Sequence, residues 1–204
     1  MTEEKVFFQA GDVKIEGLVY NSSGEKGVVV THPHPLYGGD MHNNVVETIV
    51  EAYQDKDYTT LRFNFRGMGQ SEGTYDEGIG EQEDVRASLA YLGELGKTSI
   101  HLAGYSFGAW VNALGLKSFD LARRTVMVSP PVNFLDFSFL DYSEKIQLVI
   151  AASRDDIGPP DMIKEMIPVW NPEAQFEVIQ GADHFYCGKN GDIKRIIQEF
   201  LEKA

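Results

Sequence analysis

Two arrangements of apolar residues follow one another along this chain. Val6 to Ala10 and Val13 to Tyr20 interleave apolar with polar positions around the turn pair Gly11-Asp12, which predicts an antiparallel hairpin at a sheet edge. From residue 27 the runs become nearly continuous: Gly27 to Thr31, Thr60 to Phe65, Ser99 to Ala103, Thr125 to Val128, Gln147 to Ala151 and Phe176 to Ile179. Such short β-rich runs read as strands buried on both faces. Between them the period changes to that of a helix, most clearly over Glu81 to Leu95, where Val85, Leu89 and Leu92 recur at three- and four-residue steps. Further helices are predicted over Asn43 to Gln54, Phe107 to Leu116, Pro160 to Met166 and Asp192 to Lys203. The alternation predicts an α/β fold: a mainly parallel twisted sheet with the hairpin at its start, helices on both faces and right-handed crossovers. In such sheets ligands bind beyond the carboxyl ends of the strands, so the chemistry is sought just after each one.

Composition narrows the function classes. A length of 204 residues, 43% of them apolar, suits one domain over residues 1–204. Eighteen Lys and Arg against 31 Asp and Glu leave a net charge of −13, which repels polyanions and argues against nucleic acid as a partner. No apolar run reaches 18 residues and the start, Met1-Thr2-Glu3-Glu4-Lys5, is acidic, so neither a membrane span nor a signal peptide is expected. Cys187 stands alone and cannot form an internal disulfide. The expectation is a soluble cytoplasmic protein, a monomer or homodimer. The acidic run Glu72, Asp76, Glu77, Glu81, Glu83 and Asp84 reads as a solvated stretch favoured by the dipole of the helix it enters.

Gly-x-Ser-x-Gly occurs twice, at Gly69 to Gly73 and at Gly104 to Gly108. A nucleophile elbow needs a buried strand running into the serine and a helix starting at once behind it. Ser106 meets both conditions, between Ser99 to Ala103 and the Ala-rich segment from Phe107; Ser71 lies in polar turns and is expected to make a loop hydrogen bond. A serine hydroxyl needs a base, and the base an orienting acid. Among the five histidines only His184 follows Ser106, on a polar turn after the last strand. The acid is sought after Gln147 to Ala151, where Asp155 is preferred to its neighbour Asp156, and both to Asp183, which adjoins the histidine. Phe107 offers one oxyanion N–H. The second is expected from the loop His32-Pro33-His34-Pro35-Leu36-Tyr37-Gly38-Gly39, in which prolines lack an N–H; Leu36 is chosen, with Tyr37 next. His32 and His34 lack a third ligand at metal-binding spacing, so they are expected to hydrogen-bond loop backbone instead.

His32 to Gly39 and Arg62-Phe-Asn-Phe-Arg-Gly-Met-Gly-Gln-Ser-Glu-Gly73 carry a resemblance over nearly the whole chain to the compact bacterial α/β-hydrolases. The resemblance implies a serine hydrolase fold with Ser106, Asp155 and His184 as triad and Leu36 and Phe107 as oxyanion hole. Dienelactone hydrolases of similar size use cysteine where this chain has Ser106. Only about Pro130 to Lys145 is available where larger members insert a lid, so no cap domain is expected. Phe134 and Phe137 from that segment, with Tyr37 and Tyr105, are the candidate substrate-binding residues. The expected reaction is hydrolysis of small acyl esters without cofactor or metal. Thioester cleavage, peptide cleavage and a binding protein on the same scaffold stand as alternatives.

Overall fold

A computed structural model describes residues 2–203. Eight strands are ordered β1-β2-β4-β3-β5-β6-β7-β8. The hairpin of β1 (Glu4–Ala10) and β2 (Val13–Tyr20) joins the sheet antiparallel, β2 pairing with β4 (Thr59–Phe63). The strands β3 (Lys26–Thr31), β4, β5 (Ser99–Tyr105), β6 (Ala122–Val128), β7 (Ile146–Ala152) and β8 (Gln175–Ile179) run parallel.

Alternation survives inside the apolar runs because side chains in a strand point to opposite faces. Val28 and Val30 pack with Tyr105, Val128 and Ile150 beneath α1 (Asn44–Gln54) and α5 (Asn190–Glu202). Val29 faces the other way, with Leu61, Leu102 and residues of α2 (Ile79–Glu94) and α3 (Phe107–Gly115). A third cluster joins Met127, Val149 and Ala151 to α4 (Pro160–Trp170). The segment between β6 and β7, residues 129–145, forms turns without a helix, so among the described residues no cap domain is inserted between these strands.

Two sequence expectations need correction. Helix α4 continues past Met166 to Trp170 despite Pro168, because Ile163, Ile167 and Trp170 bury one face and outweigh a single missing hydrogen bond near the helix end. The acidic run is not all solvated: Glu81 and Asp84 are fully buried. Glu81 accepts the N–H groups of Gly78 (2.8 Å) and Asp76 (2.9 Å) at the start of α2, and Asp84 accepts from the Arg66 guanidinium at 2.8 Å and the Arg66 N–H at 2.9 Å. Glu81 and Asp84 therefore tie the loop between Arg66 and Gly78 to the helix, while Glu72, Asp76, Glu77 and Glu83 are exposed.

Two buried histidines make stability acid-sensitive. Burial, with Arg124 and Lys26 adding like charge, lowers His101 to about 4, and burial lowers His32 to about 4, against the usual 6.5. The unfolded chain takes up both protons first as pH falls, so their stabilising contribution is complete above 6.5 and is lost on the way down to about 4. Urea unfolding midpoints are expected to fall over that interval, and His101→Gln to remove about one proton from the slope. A slope unchanged by the substitution would contradict this.

Candidate active site

Strand β5 ends at Tyr105 and α3 begins at Phe107, leaving Ser106 alone to make the turn. Its backbone adopts φ 53°, ψ −119°, a conformation that costs a non-glycine residue about 1–3 kcal/mol. The glycines on either side make room for it. A Cβ at Gly104 would meet the Ala109 nitrogen at 2.6 Å, and one at Gly108 the Thr31 carbonyl oxygen at 2.6 Å. The turn lifts the Ser106 side chain to the carboxyl end of the sheet, where its Oγ lies 2.9 Å from His184 Nε2.

The ring is held from its other side. His184 Nδ1 lies 2.8 Å from Asp155 Oδ2, while Asp155 Oδ1 accepts the N–H groups of Ile157 (2.9 Å) and Gly158 (2.8 Å). Burial raises the Asp155 pKa, but the His184 hydrogen bond and charge, helped by the Gly158 N–H and Ser129, leave it below the ordinary carboxylate value. The carboxylate is thus ionised and oriented. Asp156 and Asp183 stand outside this chain: the Asp156 carbonyl accepts from Asn133 at 3.0 Å, and Asp183 Oδ1 accepts the Phe185 N–H at 3.1 Å.

Ser71 sits apart from all of these. Its Oγ donates to the Asn64 carbonyl at 2.7 Å and accepts the Glu16 N–H at 2.9 Å, the loop role its surroundings predicted. His32 also serves the backbone: Nε2 accepts the Phe65 N–H at 3.0 Å, which places the proton on Nδ1, 2.6 Å from the Pro33 carbonyl.

The loop after β3 departs from expectation. Pro35 to Tyr37 form a single 3₁₀ turn, and His34 Nδ1 accepts the Leu36 N–H at 3.2 Å. The N–H groups of Tyr37 and Gly39 donate to the His34 carbonyl, both at 3.1 Å, and that of Gly38 to the Pro35 carbonyl at 3.2 Å. The Leu36 N–H is therefore engaged within the turn, and the residue, 65% exposed, does not border the cavity. Between Pro33 and Gly39, His34 has the one N–H with no partner among the described residues.

A cavity of about 440 Å³ opens over Ser106 and His184. Tyr37, Phe134 and Phe185 border it and are more than half exposed, while Tyr105 and Phe107 are buried at its base. The Tyr37 and Phe134 rings meet edge to face across two loops, with centroids 6.1 Å apart. No Lys, Arg, Asp or Glu lines the space. Tyr105 has a second duty, since its hydroxyl donates to the His184 carbonyl at 2.7 Å. Phe137 is a correction: it packs against Phe139 and Trp170 in the third core cluster, and no part of the cavity touches it. Phe134 of the same segment borders the cavity, and nothing in the aromatic spacing tells the inward residue from the cavity-facing one.

A strained serine on a strand-to-helix turn, an imidazole and an ionised carboxylate within hydrogen-bond reach on a parallel α/β sheet have the geometry that nucleophilic catalysis requires. The model of the alpha/beta hydrolase family matches residues 28–187. A relative, the uncharacterized protein RP471 of Rickettsia prowazekii (strain Madrid E), is 32% identical over 209 residues, covering 97% of this chain and 88% of the relative. Similar solved structures include an alpha-beta serine hydrolase homologue from Coxiella burnetii, with 32% identity, a TM-score of 0.91 and 98% of each chain covered. XC6422 from Xanthomonas campestris, a serine hydrolase without a lid, is 26% identical with a TM-score of 0.89, covering 98% of this chain and 94% of that one. The chain belongs to the alpha/beta hydrolase family, and these relatives support a hydrolase. No helix among the described residues is long and apolar enough to cross a membrane.

The elbow makes a stability prediction. Gly108→Ala is expected to destabilise by about 1–3 kcal/mol in urea unfolding, because its Cβ meets backbone. Gly24→Ala, where nothing lies within 4 Å, is expected to change little. Equal effects of the two would refute the steric account.

Proposed function

We propose that this protein is a serine esterase that cleaves small, uncharged carboxylic esters through an acyl-enzyme on Ser106. The observation that carries the reading is the continuous chain from Ser106 Oγ through His184 to Asp155, at 2.9 and 2.8 Å, opening on a cavity free of charged side chains. His184 takes the Ser106 proton as Oγ attacks the ester carbonyl, then donates it to the leaving alcohol. The same ring activates a water that releases the acid. Asp155 holds the Nδ1–H tautomer and stabilises the imidazolium. These steps need neither a metal nor a cofactor.

The oxyanion is held by the N–H groups of Phe107 and His34, the latter in place of Leu36. Phe107 opens α3, where a first-turn N–H has no intrahelical acceptor. His34 borders the cavity and its N–H has no partner among the described residues, while its ring secures the turn through the Leu36 N–H. A thioester of a phosphorylated carrier fits less well, because the lining offers no cationic side chain for the phosphates.

A fluorophosphonate probe tests the nucleophile. Parent and Ser71→Ala are expected to label and Ser106→Ala not to; labelling that survives the loss of Ser106 ends the assignment. His34→Ala is expected to lower kcat for a short 4-nitrophenyl ester about tenfold with little change in KM, because a loosened donor loop weakens transition-state binding. A change confined to KM would reject the His34 role.

A further inference from the structure

The cavity has one neutral side-chain amide in its lining, Asn43, and the rest of the molecule fixes which way that amide faces. Asn43 caps α1: its Oδ1 accepts the Val45 N–H at 2.9 Å. An NH₂ group cannot accept that bond, so the oxygen is held toward the helix and the NH₂ is directed elsewhere. Neither N–H of Asn43 Nδ2 has a partner among the described residues, although the residue is half-buried at the cavity wall.

Its backbone is held too. The Asn43 N–H donates to the Asp40 carbonyl at 3.2 Å, and the Met41 N–H donates to Asn64 Oδ1 at 3.0 Å. Arg62 donates to the Met41 carbonyl at 2.9 Å. A donor so fixed and unpaired beside apolar walls discriminates by what it would leave unsatisfied: a ligand with an acceptor there completes it, and a purely hydrocarbon ligand covers it at a loss.

We propose that Asn43 is a specificity-determining residue, and that the preferred substrates are neutral esters carrying a hydrogen-bond acceptor, such as a keto oxygen, at a distance from the scissile carbonyl. The inference rests on the esterase reading and deepens it. Tyr37 and Phe134 accommodate the apolar body of such a substrate while the Asn43 NH₂ reads its oxygen.

Two matched pairs test this on either side of the ester: 4-nitrophenyl 4-oxopentanoate against 4-nitrophenyl pentanoate, and 3-oxobutyl acetate against butyl acetate. Each is measured as a ratio of kcat/KM in the parent and in Asn43→Asp and Asn43→Ser. Both variants keep an oxygen that caps α1, so folding is retained, and both lose the NH₂ donor. For at least one pair the keto preference, the ratio of kcat/KM for the keto ester to that for the plain ester, is expected to fall about threefold to tenfold in both variants. Dividing variant by parent cancels the intrinsic reactivity of each ester. Ratios unchanged for both pairs, with the parent active, overturn the Asn43 inference and leave the esterase reading standing. A parent that hydrolyses none of the four esters and takes no fluorophosphonate removes that reading, and this inference with it.

Discussion

The site is organised around a backbone conformation that the chain adopts only because its neighbours are glycines. Ser106 sits at φ 53°, ψ −119°, between Gly104 and Gly108, whose missing side chains admit the first turn of α3 and the Thr31 carbonyl. The Ser106 N–H donates to the Val128 carbonyl at 2.9 Å, so the sheet holds the residue up to the point where the helix takes over. Below it, Asn112 donates to Thr31 Oγ1 at 2.9 Å, and Thr31 Oγ1 to the Ala103 carbonyl at 3.3 Å. Were this turn to relax, the serine oxygen would drop toward the sheet and lose the imidazole.

The imidazole is positioned just as firmly, by contacts remote from the ring. The Tyr105 hydroxyl holds the His184 carbonyl, so the residue before the serine braces the residue that faces it. Tyr186 pairs with Ser129 at 2.7 Å, and the Arg154 N–H donates to the Ala182 carbonyl at 2.9 Å, which joins the His184 loop to the loops after β6 and β7. Asp155 has one oxygen on backbone N–H groups and one on the ring. Each polar group of the proposed triad is thus held in place, which is the condition for preorganised electrostatics.

Much of this was legible in the residues. The change from interleaved to continuous apolar runs marked the hairpin and the parallel strands, and the requirement for strand before and helix after separated Ser106 from Ser71. Chain order pointed to His184. What stayed hidden depends on backbone detail. Leu36 and His34 are two residues apart in one short turn, and only its hydrogen bonds show that the Leu36 N–H is engaged while the His34 N–H has no partner among the described residues; the two prolines already reduce the choice. Phe137 and Phe134 share a segment and a chemistry, but one turns into the core. Asn43 carried a readable signal, an Asn just before an apolar helical run, yet that signal speaks of a helix cap and not of a cavity. Glu81 and Asp84 read as solvated charges in the sequence because their partners, the Gly78 and Asp76 N–H groups and Arg66, are set by a loop whose course the sequence pattern does not reveal.

The relay from Asp155 to Ser106 is tested most directly by the rate at which a fluorophosphonate modifies Ser106 in Asp155→Asn. The Ile157 and Gly158 N–H groups hold the oxygen of the new amide, leaving its NH₂ toward His184. The ring must then accept at Nδ1 and carry its proton on Nε2, where it can no longer take one from the serine. The account predicts a correctly folded variant whose Ser106 reacts at least about a thousandfold more slowly. Modification at the parent rate would contradict it.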